Sequence, residues 1–224
     1  MTGISIFDVD RTITRQPTYS LFLLFAARRL APWRLLLLPA LAPAALAYAA
    51  KLIDRKAMKQ AMHRVALGSG VAQLRAEAIA EEFAEQLAAS GLFEQARARL
   101  AAEAAEGRTV VLATAAPALY IEPLARRLGI AHVAASQPHW RGGRLTHRIT
   151  GPNCYGPDKL QMVQAALAKA GIERAGAHVR FFSDHASDVH VGDWADEVFA
   201  VNASPRMVAL ARARGWQLLD WRGS

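Results

Sequence analysis

Ile4-Ser5-Ile6-Phe7-Asp8-Val9-Asp10-Arg11-Thr12 is the stretch that decides how this chain is read. Ile4, Ile6 and Phe7 form a short apolar run of β-branched and aromatic residues, which predicts a buried strand. The run ends in two carboxylates one residue apart, followed by a threonine. Acids at the carboxyl end of a strand are expected where an open α/β sheet places its chemistry. If the strand continued, Asp8 and Asp10 would share a face. If the chain turns after Asp8, Asp10 swings to the other side of whatever binds there. Two acids this close repel unless a cation lies between them or one holds a proton. A strand followed by an acidic turn explains the same residues without any chemistry, since Asp is common in turns.

The chain around this stretch has 224 residues, enough for one large domain or for a core with a sizeable insertion. Hydrophobic residues make up 53% and charged residues 21%, which excludes a disordered chain. A net charge of +8 and a pI near 10.2 point to anionic partners: phosphorylated substrates, anionic lipid headgroups or nucleic acid. No zinc finger, basic zipper or aromatic ribonucleoprotein signature is present, so nucleic acid is not expected. The single cysteine, Cys154, excludes an internal disulfide and suits a reducing compartment. No signal peptide is expected, because the first residues already form the acidic strand and lack a basic leader.

Downstream, Pro17 ends the acidic turn, and Thr18 or Ser20 is placed to cap a helix. Residues 19–30 are strongly apolar and end in Arg28-Arg29. An uncharged run then extends from Leu35 to Ala50, interrupted by Pro39 and Pro43 and closed by Lys51. At about 16 residues it falls short of the ~18 to 20 of a transmembrane helix. Arg28, Arg29, Trp33 and Arg34 flank it on one side and Tyr48 and Lys51 on the other, as in segments that sit at a membrane interface. A pair of buried helices in a small bundle fits the same residues, and both readings stand. From Asp54 to Leu100 the pattern is helical: Val71, Leu74, Ala78, Ile79 and Phe83 recur at helix spacing, with Arg75, Glu77, Glu81 and Glu82 opposite. Residues 17–100 thus read as an all-helical insertion, with 1–16 and 101–224 forming the core.

After Gly107 the period changes. Thr109 to Ala113 predicts a buried strand, running into Thr114-Ala115-Ala116-Pro117 and a helix from about Leu119. The Thr114 hydroxyl and the backbone N–H groups of Ala115 and its neighbours are then placed to meet an anion. Gly142-Gly143 reads as a hairpin turn. Lys159 falls in the first turn of another helix, where a cation gains nothing from the dipole; an anion to bind would explain it. Val179 to Phe182 predicts a strand ending in Asp184, with Asp188 close behind. Val198 to Val201 and Trp216 to Leu219 read as two further strands.

An acid pair, a threonine, a lysine and a second acid pair at strand ends would together form a phosphoryl-transfer site. Asp8 would be the nucleophile, forming an aspartyl-phosphate. A Mg2+ on Asp8, the Asp10 carbonyl and Asp184 would screen the approach of a dianion. Thr114 and Lys159 would neutralise the phosphoryl oxygens. Asp10 would act as general acid and then base, and Asp188 would orient the metal ligands or Lys159.

This ordered set resembles the haloacid dehalogenase superfamily. Asp8-Val9-Asp10-Arg11-Thr12 is similar to its first motif, Thr114 to the second, Lys159 to the third, and Asp184 with Asp188 to the fourth. Gly143 through Lys159, Ser183-Asp184 and Val201-Asn202 look most like the phosphoserine-phosphatase-like branch. The resemblance implies a Rossmann-like parallel α/β sheet with an inserted helical cap, and a Mg2+-dependent phosphomonoesterase. Arg11 stands where the family usually has Gly. Arg15-Gln16-Pro17 lacks the acid that would hold a phosphoserine ammonium group, although Arg64 is similar to the arginine that holds its carboxylate. The apolar segment looks like that of membrane-associated phosphatidylglycerophosphate phosphatases, which favours a lipid phosphate over phosphoserine or another small metabolite. The resemblance implies a cytoplasmic protein, peripheral at or anchored to the inner membrane. A receiver domain would lack the long insertion and the second acid pair. A non-catalytic membrane-binding relative would not need Asp8, Asp10, Lys159 and Asp184. The oligomeric state leaves no mark on the sequence.

Overall fold

The computed structural model describes residues 2–223. The opening stretch forms β1 (Thr2–Phe7), and the chain then leaves the sheet through α1 (Thr18–Leu30), a ten-residue 3-10 helix (Pro32–Leu41), α2 (Ala42–Ala49) and α3 (Arg55–Ala66). It continues through β2 (Val71–Ala72), α4 (Gln73–Gln86), a π turn (Leu87–Gly91) and α5 (Glu94–Ala105). The rest alternates: β3 (Thr109–Pro117), α6 (Ala118–Arg127), β4 (His132–Arg141), β5 (Arg144–Thr150), α7 (Pro157–Lys169), β6 (Ala177–Ser183), α8 (Val189–Trp194), β7 (Glu197–Val201), α9 (Pro205–Arg214) and β8 (Gln217–Leu219).

The eight strands lie in the order β2-β5-β4-β3-β1-β6-β7-β8. From β4 to β8 every pairing is parallel, and β1 sits between β3 and β6. Helices cover both faces, so the central strands read as continuous apolar runs rather than alternating ones. Ile4, Ile6, Val111, Val179 and Phe181 pack on one side with Val163 and Leu167 of α7. Phe7, Leu112, Phe182 and Phe199 pack on the other with Leu100 of α5 and Ile121 and Leu124 of α6. Phe7, Phe182 and Phe199 stack in a ladder across β1, β6 and β7, with centroids 4.2 and 4.5 Å apart. This α/β sheet is the parallel, Rossmann-like core expected from the sequence.

The inserted helices share the second cluster with the sheet. Phe22 of α1 and Phe83 of α4 meet Tyr120 of α6 at 4.6 and 5.2 Å. Three details differ from the sequence reading. The insertion is not all-helical, because Val71–Ala72 pairs antiparallel with Arg144 and Leu145 of β5. The expected boundary after residue 100 falls inside α5. The apolar segment is also longer than its uncharged run: Pro32–Ala49 is helical for 18 residues and none of them is buried, so the buried-bundle reading of this segment is wrong. Gly142 and Gly143, at φ 54° and 68°, do form the two-residue turn between β4 and β5, a geometry that requires left-handed residues.

Candidate active site

The site begins where β1 stops. The Asp8 amide still donates to Phe182 O at 2.9 Å, so Asp8 is held at the carboxyl end of the central strand. The chain then closes on itself: the amides of Thr12, Ile13 and Thr14 all donate to Val9 O, at 3.3, 3.1 and 3.0 Å. This turn separates the two acids. Asp10 points to the start of α1, where its Oδ1 accepts from the Thr18 amide at 2.8 Å and the Thr18 hydroxyl at 2.7 Å. Neither Thr18 nor Ser20 caps α1 with its side chain; Asp10 does so from eight residues upstream. The turn requires Arg11 to sit at φ 63°, and Asn202 Nδ2 donates to the Arg11 carbonyl at 3.0 Å.

The ends of β3 and β6 and the first turn of α7 converge on the same cavity, which has a volume of about 210 Å³. Asp8, Asp10, Thr114, Ala115, Lys159, Asp184 and Asp188 all line it. Lys159 Nζ donates to Asp8 Oδ1 at 2.7 Å and to Asp188 Oδ2 at 2.6 Å, and all three side chains are buried. The two carboxylates more than offset the burial of its ammonium and the unfavourable helix end, and push its pKa up. Ser183 Oγ also donates to Asp188 Oδ2, at 2.7 Å. Thr12 Oγ1 links the loops that leave β1 and β6: it donates to Asp8 Oδ2 at 3.3 Å and accepts from the Asp184 amide at 3.0 Å. Thr114 Oγ1 accepts from the Ala116 amide at 3.0 Å.

The carboxylates are not at rest in this geometry. Burial pushes Asp8 up to about 6, helped by the charge of Asp188 and opposed by Lys159. Burial pushes Asp184 up to about 8, with Asp8 and Asp188 adding to the shift. Among the described residues, nothing donates a hydrogen bond to the Asp184 carboxylate. A buried, unpartnered carboxylate beside a second one is a place that a cation would stabilise. Among the described residues no group of three or more His, Cys, Asp or Glu side chains forms a cage for a metal. A cation here would take two carboxylates, Asp8 and Asp184, with main-chain oxygen and water completing the shell. That donor set suits Mg2+, which keeps several of its waters.

Arg64, expected near the substrate, is exposed and does not line the cavity. The helix that carries it, α3, instead turns Arg55 into the cavity, with its guanidinium 4.6 Å from the centre of the Tyr155 ring. One turn on, the buried Lys59 donates to Ala115 O at 2.5 Å and to Asn153 Oδ1 at 3.0 Å, directly beneath the Thr114-Ala115 wall. Burial and the neighbouring Arg55 pull Lys59 down to about 8. Sequence reasoning missed both residues. The available signal was Lys59 and His63 standing four apart in the same stripe as Ala66, which are the buried positions of α3. Arg11, Pro17, Tyr155, His185 and Ser187 complete the lining.

A strand-borne acid pair, a threonine, a lysine and a second acid pair in one crevice define a phosphoryl-transfer type of hydrolase site on a parallel α/β sheet. Residues 6–193 match the haloacid dehalogenase-like hydrolases, and the chain belongs to that family. Among its relatives is phosphoserine phosphatase SerB1 of Mycobacterium tuberculosis, 28% identical over 155 residues, which are 69% of this chain and 49% of that protein. The chain thus spans about half the length of the curated relatives it matches. A protein of unknown function from Bordetella pertussis Tohama I superposes with a TM-score of 0.84 at 26% identity, covering 99% of both chains. A substrate-bound phosphoserine phosphatase shares the fold, with a TM-score of 0.65 at 12% identity over 99% of this chain and 94% of that one.

Proposed function

We propose that this chain is a Mg2+-dependent phosphomonoester hydrolase that works through an aspartyl-phosphate on Asp8, with phosphoserine or another small phosphorylated metabolite as substrate. The observation that carries this reading is the buried Lys159 bridge between Asp8 and Asp188, inside a cavity that also holds Asp10, Thr114 and Asp184. Bound between Asp8 and Asp184, Mg2+ would supply positive charge that lets an anionic nucleophile meet an anionic phosphoryl group.

The residues divide the work as follows. An Asp8 carboxylate oxygen attacks phosphorus as the bond to the leaving oxygen breaks. Lys159 and the Thr114 hydroxyl stabilise the charge on the phosphoryl oxygens. Asp10, pinned at the start of α1 and facing the cavity, protonates the departing alkoxide. Its carboxylate then takes a proton from water, which attacks the acyl-phosphate, frees phosphate and regenerates Asp8. Asp188 and Ser183 position Lys159. Arg11 and Arg55 place positive charge where the rest of the substrate would lie, and favour a leaving group that carries an anion.

The comparisons with phosphoserine phosphatases support the small-metabolite reading over the lipid phosphate favoured by the sequence. One observation still favours a lipid phosphate such as phosphatidylglycerophosphate: the exposed apolar segment that leads into Arg55. A screen of phosphoserine, sugar phosphates and phosphatidylglycerophosphate with Mg2+ separates the two. In the same assay Asp8→Asn is expected to lower turnover at least about a thousandfold and to lose a phosphoenzyme that the wild type accumulates. Wild-type turnover in that variant would refute Asp8 as the nucleophile.

A further inference from the structure

Residues 32–52 present an apolar ledge that the rest of the chain leaves uncovered. Trp33 is 59% exposed, Leu36 81%, Leu46 72% and Leu52 79%. A single exposed leucine is ordinary, but four large apolar side chains within one 21-residue ledge mark a contact surface. The ledge includes a 3-10 run of ten residues, well beyond the usual few, with no residue of it buried. Charge is distributed just as unevenly. Between Asp10 and Asp54 there is no acidic residue, while Arg11, Arg15, Arg28, Arg29, Arg34 and Lys51 fall in that interval. Arg29 is neutralised by Glu82. Arg28 and Lys51 stay exposed at the two ends of the ledge. Arg34 lies 5.2 Å from the Trp33 ring, and its guanidinium donates to the carbonyls of Val65 and Arg64.

We propose that this ledge is a docking surface for an anionic lipid bilayer. It lies flat in the interface, with Trp33, Leu36, Leu46 and Leu52 entering the acyl boundary and Arg28 and Lys51 among the headgroups. A second copy of the chain fits less well, because two acid-free basic rims would face each other. The segment does not cross the membrane. Its two ends run into α1 and α3, which pack against each other and therefore lie on one side of any bilayer. Arg55, three residues after Leu52, lines the cavity, so docking sets the mouth of the site beside the lipid surface. The proposal stands apart from the chemistry assigned to Asp8.

Co-sedimentation of the full chain with phosphatidylcholine vesicles, with and without phosphatidylglycerol, tests it. About tenfold more protein is expected on the anionic vesicles, with binding falling as salt rises from about 0.1 to about 0.5 M. The double variant Leu36→Asp, Leu46→Asp changes only exposed positions. It is expected to keep the wild-type melting curve and lose at least about tenfold in vesicle binding. Asp8→Asn should bind vesicles like the wild type, so failure of the phosphatase reading leaves this measurement intact. No binding to anionic vesicles, or unchanged binding by the double variant, overturns the proposal. So does a dimer in light scattering that the double variant dissociates, since a second copy would then cover the ledge.

Discussion

Asp8 and Asp10 are one residue apart, yet they face different partners because three amides converge on the Val9 carbonyl and fold the chain between them. The same turn forces Arg11 to φ 63°, a conformation that costs a residue with a Cβ about 1 kcal/mol. Arg11→Gly is therefore expected to raise the melting temperature at pH 5. At that pH Asp184 is protonated and the lost positive charge costs little. The gain should shrink at pH 9, where Asp184 is ionised and Arg11 partly offsets its charge. A variant no more stable than the wild type at pH 5 would mean that the turn stores no strain at this residue.

At the scale of elements, α5 is fixed to the sheet by a charge cluster rather than by apolar contacts alone. Glu103 is fully buried and pairs with Arg99 at 2.6 Å, Arg108 at 2.9 Å and Arg180 at 3.1 Å, while Ser5 donates to it from β1. Burial alone would raise its pKa, but Ser5 and the arginines hold the carboxyl below its ordinary value. Glu103→Ala leaves Arg99 and Arg108 without a carboxylate partner, while Arg180 keeps Glu106 and Glu197, and is expected to cost about 3 kcal/mol in urea unfolding. Ser5 lies three residues before Asp8, away from the cavity, so turnover by the folded fraction should be unchanged. A drop in that turnover would show that α5 also acts on the site. The helix α3 shows the other face of the same principle: its buried stripe carries Lys59 under the Thr114-Ala115 wall of the cavity, while Arg64 is turned outward.

At the scale of the molecule, Asp8 and Asp184 arrive from different strands; burial raises both, and the charge of Asp8 adds to the rise of Asp184. Both titrate higher in the folded protein than the ordinary 3.8, so between about pH 4 and about pH 8 the folded state binds more protons than the unfolded chain. Without a divalent cation, stability should fall as pH rises through that window. Thermal melts in EDTA from pH 4 to pH 9 should show the decline, and added Mg2+ should raise the melting temperature more at pH 8 than at pH 5. Asp184→Asn should flatten the decline and remove most of the Mg2+ response. A flat EDTA profile for the wild type would show that burial does not raise the two carboxylates.

The sequence by itself determined the sheet and the chemistry that lines it. Apolar runs that end in Asp8, Thr114 and Asp184 specify strands and the polar residues at their ends, because strand pattern and terminal residue are local properties of the chain. The resemblance carried by those motifs also implied an insertion after β1, where the chain has α1 to α4 together with the short strand β2. Tertiary structure alone decided which side chains of the insertion reach the cavity. Arg55 lines it, Lys59 is buried behind its Thr114-Ala115 wall and Arg64 is turned outward, because helix phase is set by packing against α1 and the sheet. It also decided that Pro32–Ala49 stays uncovered: length and composition allow a buried helix, and only the neighbours of a segment determine whether anything lies on top of it.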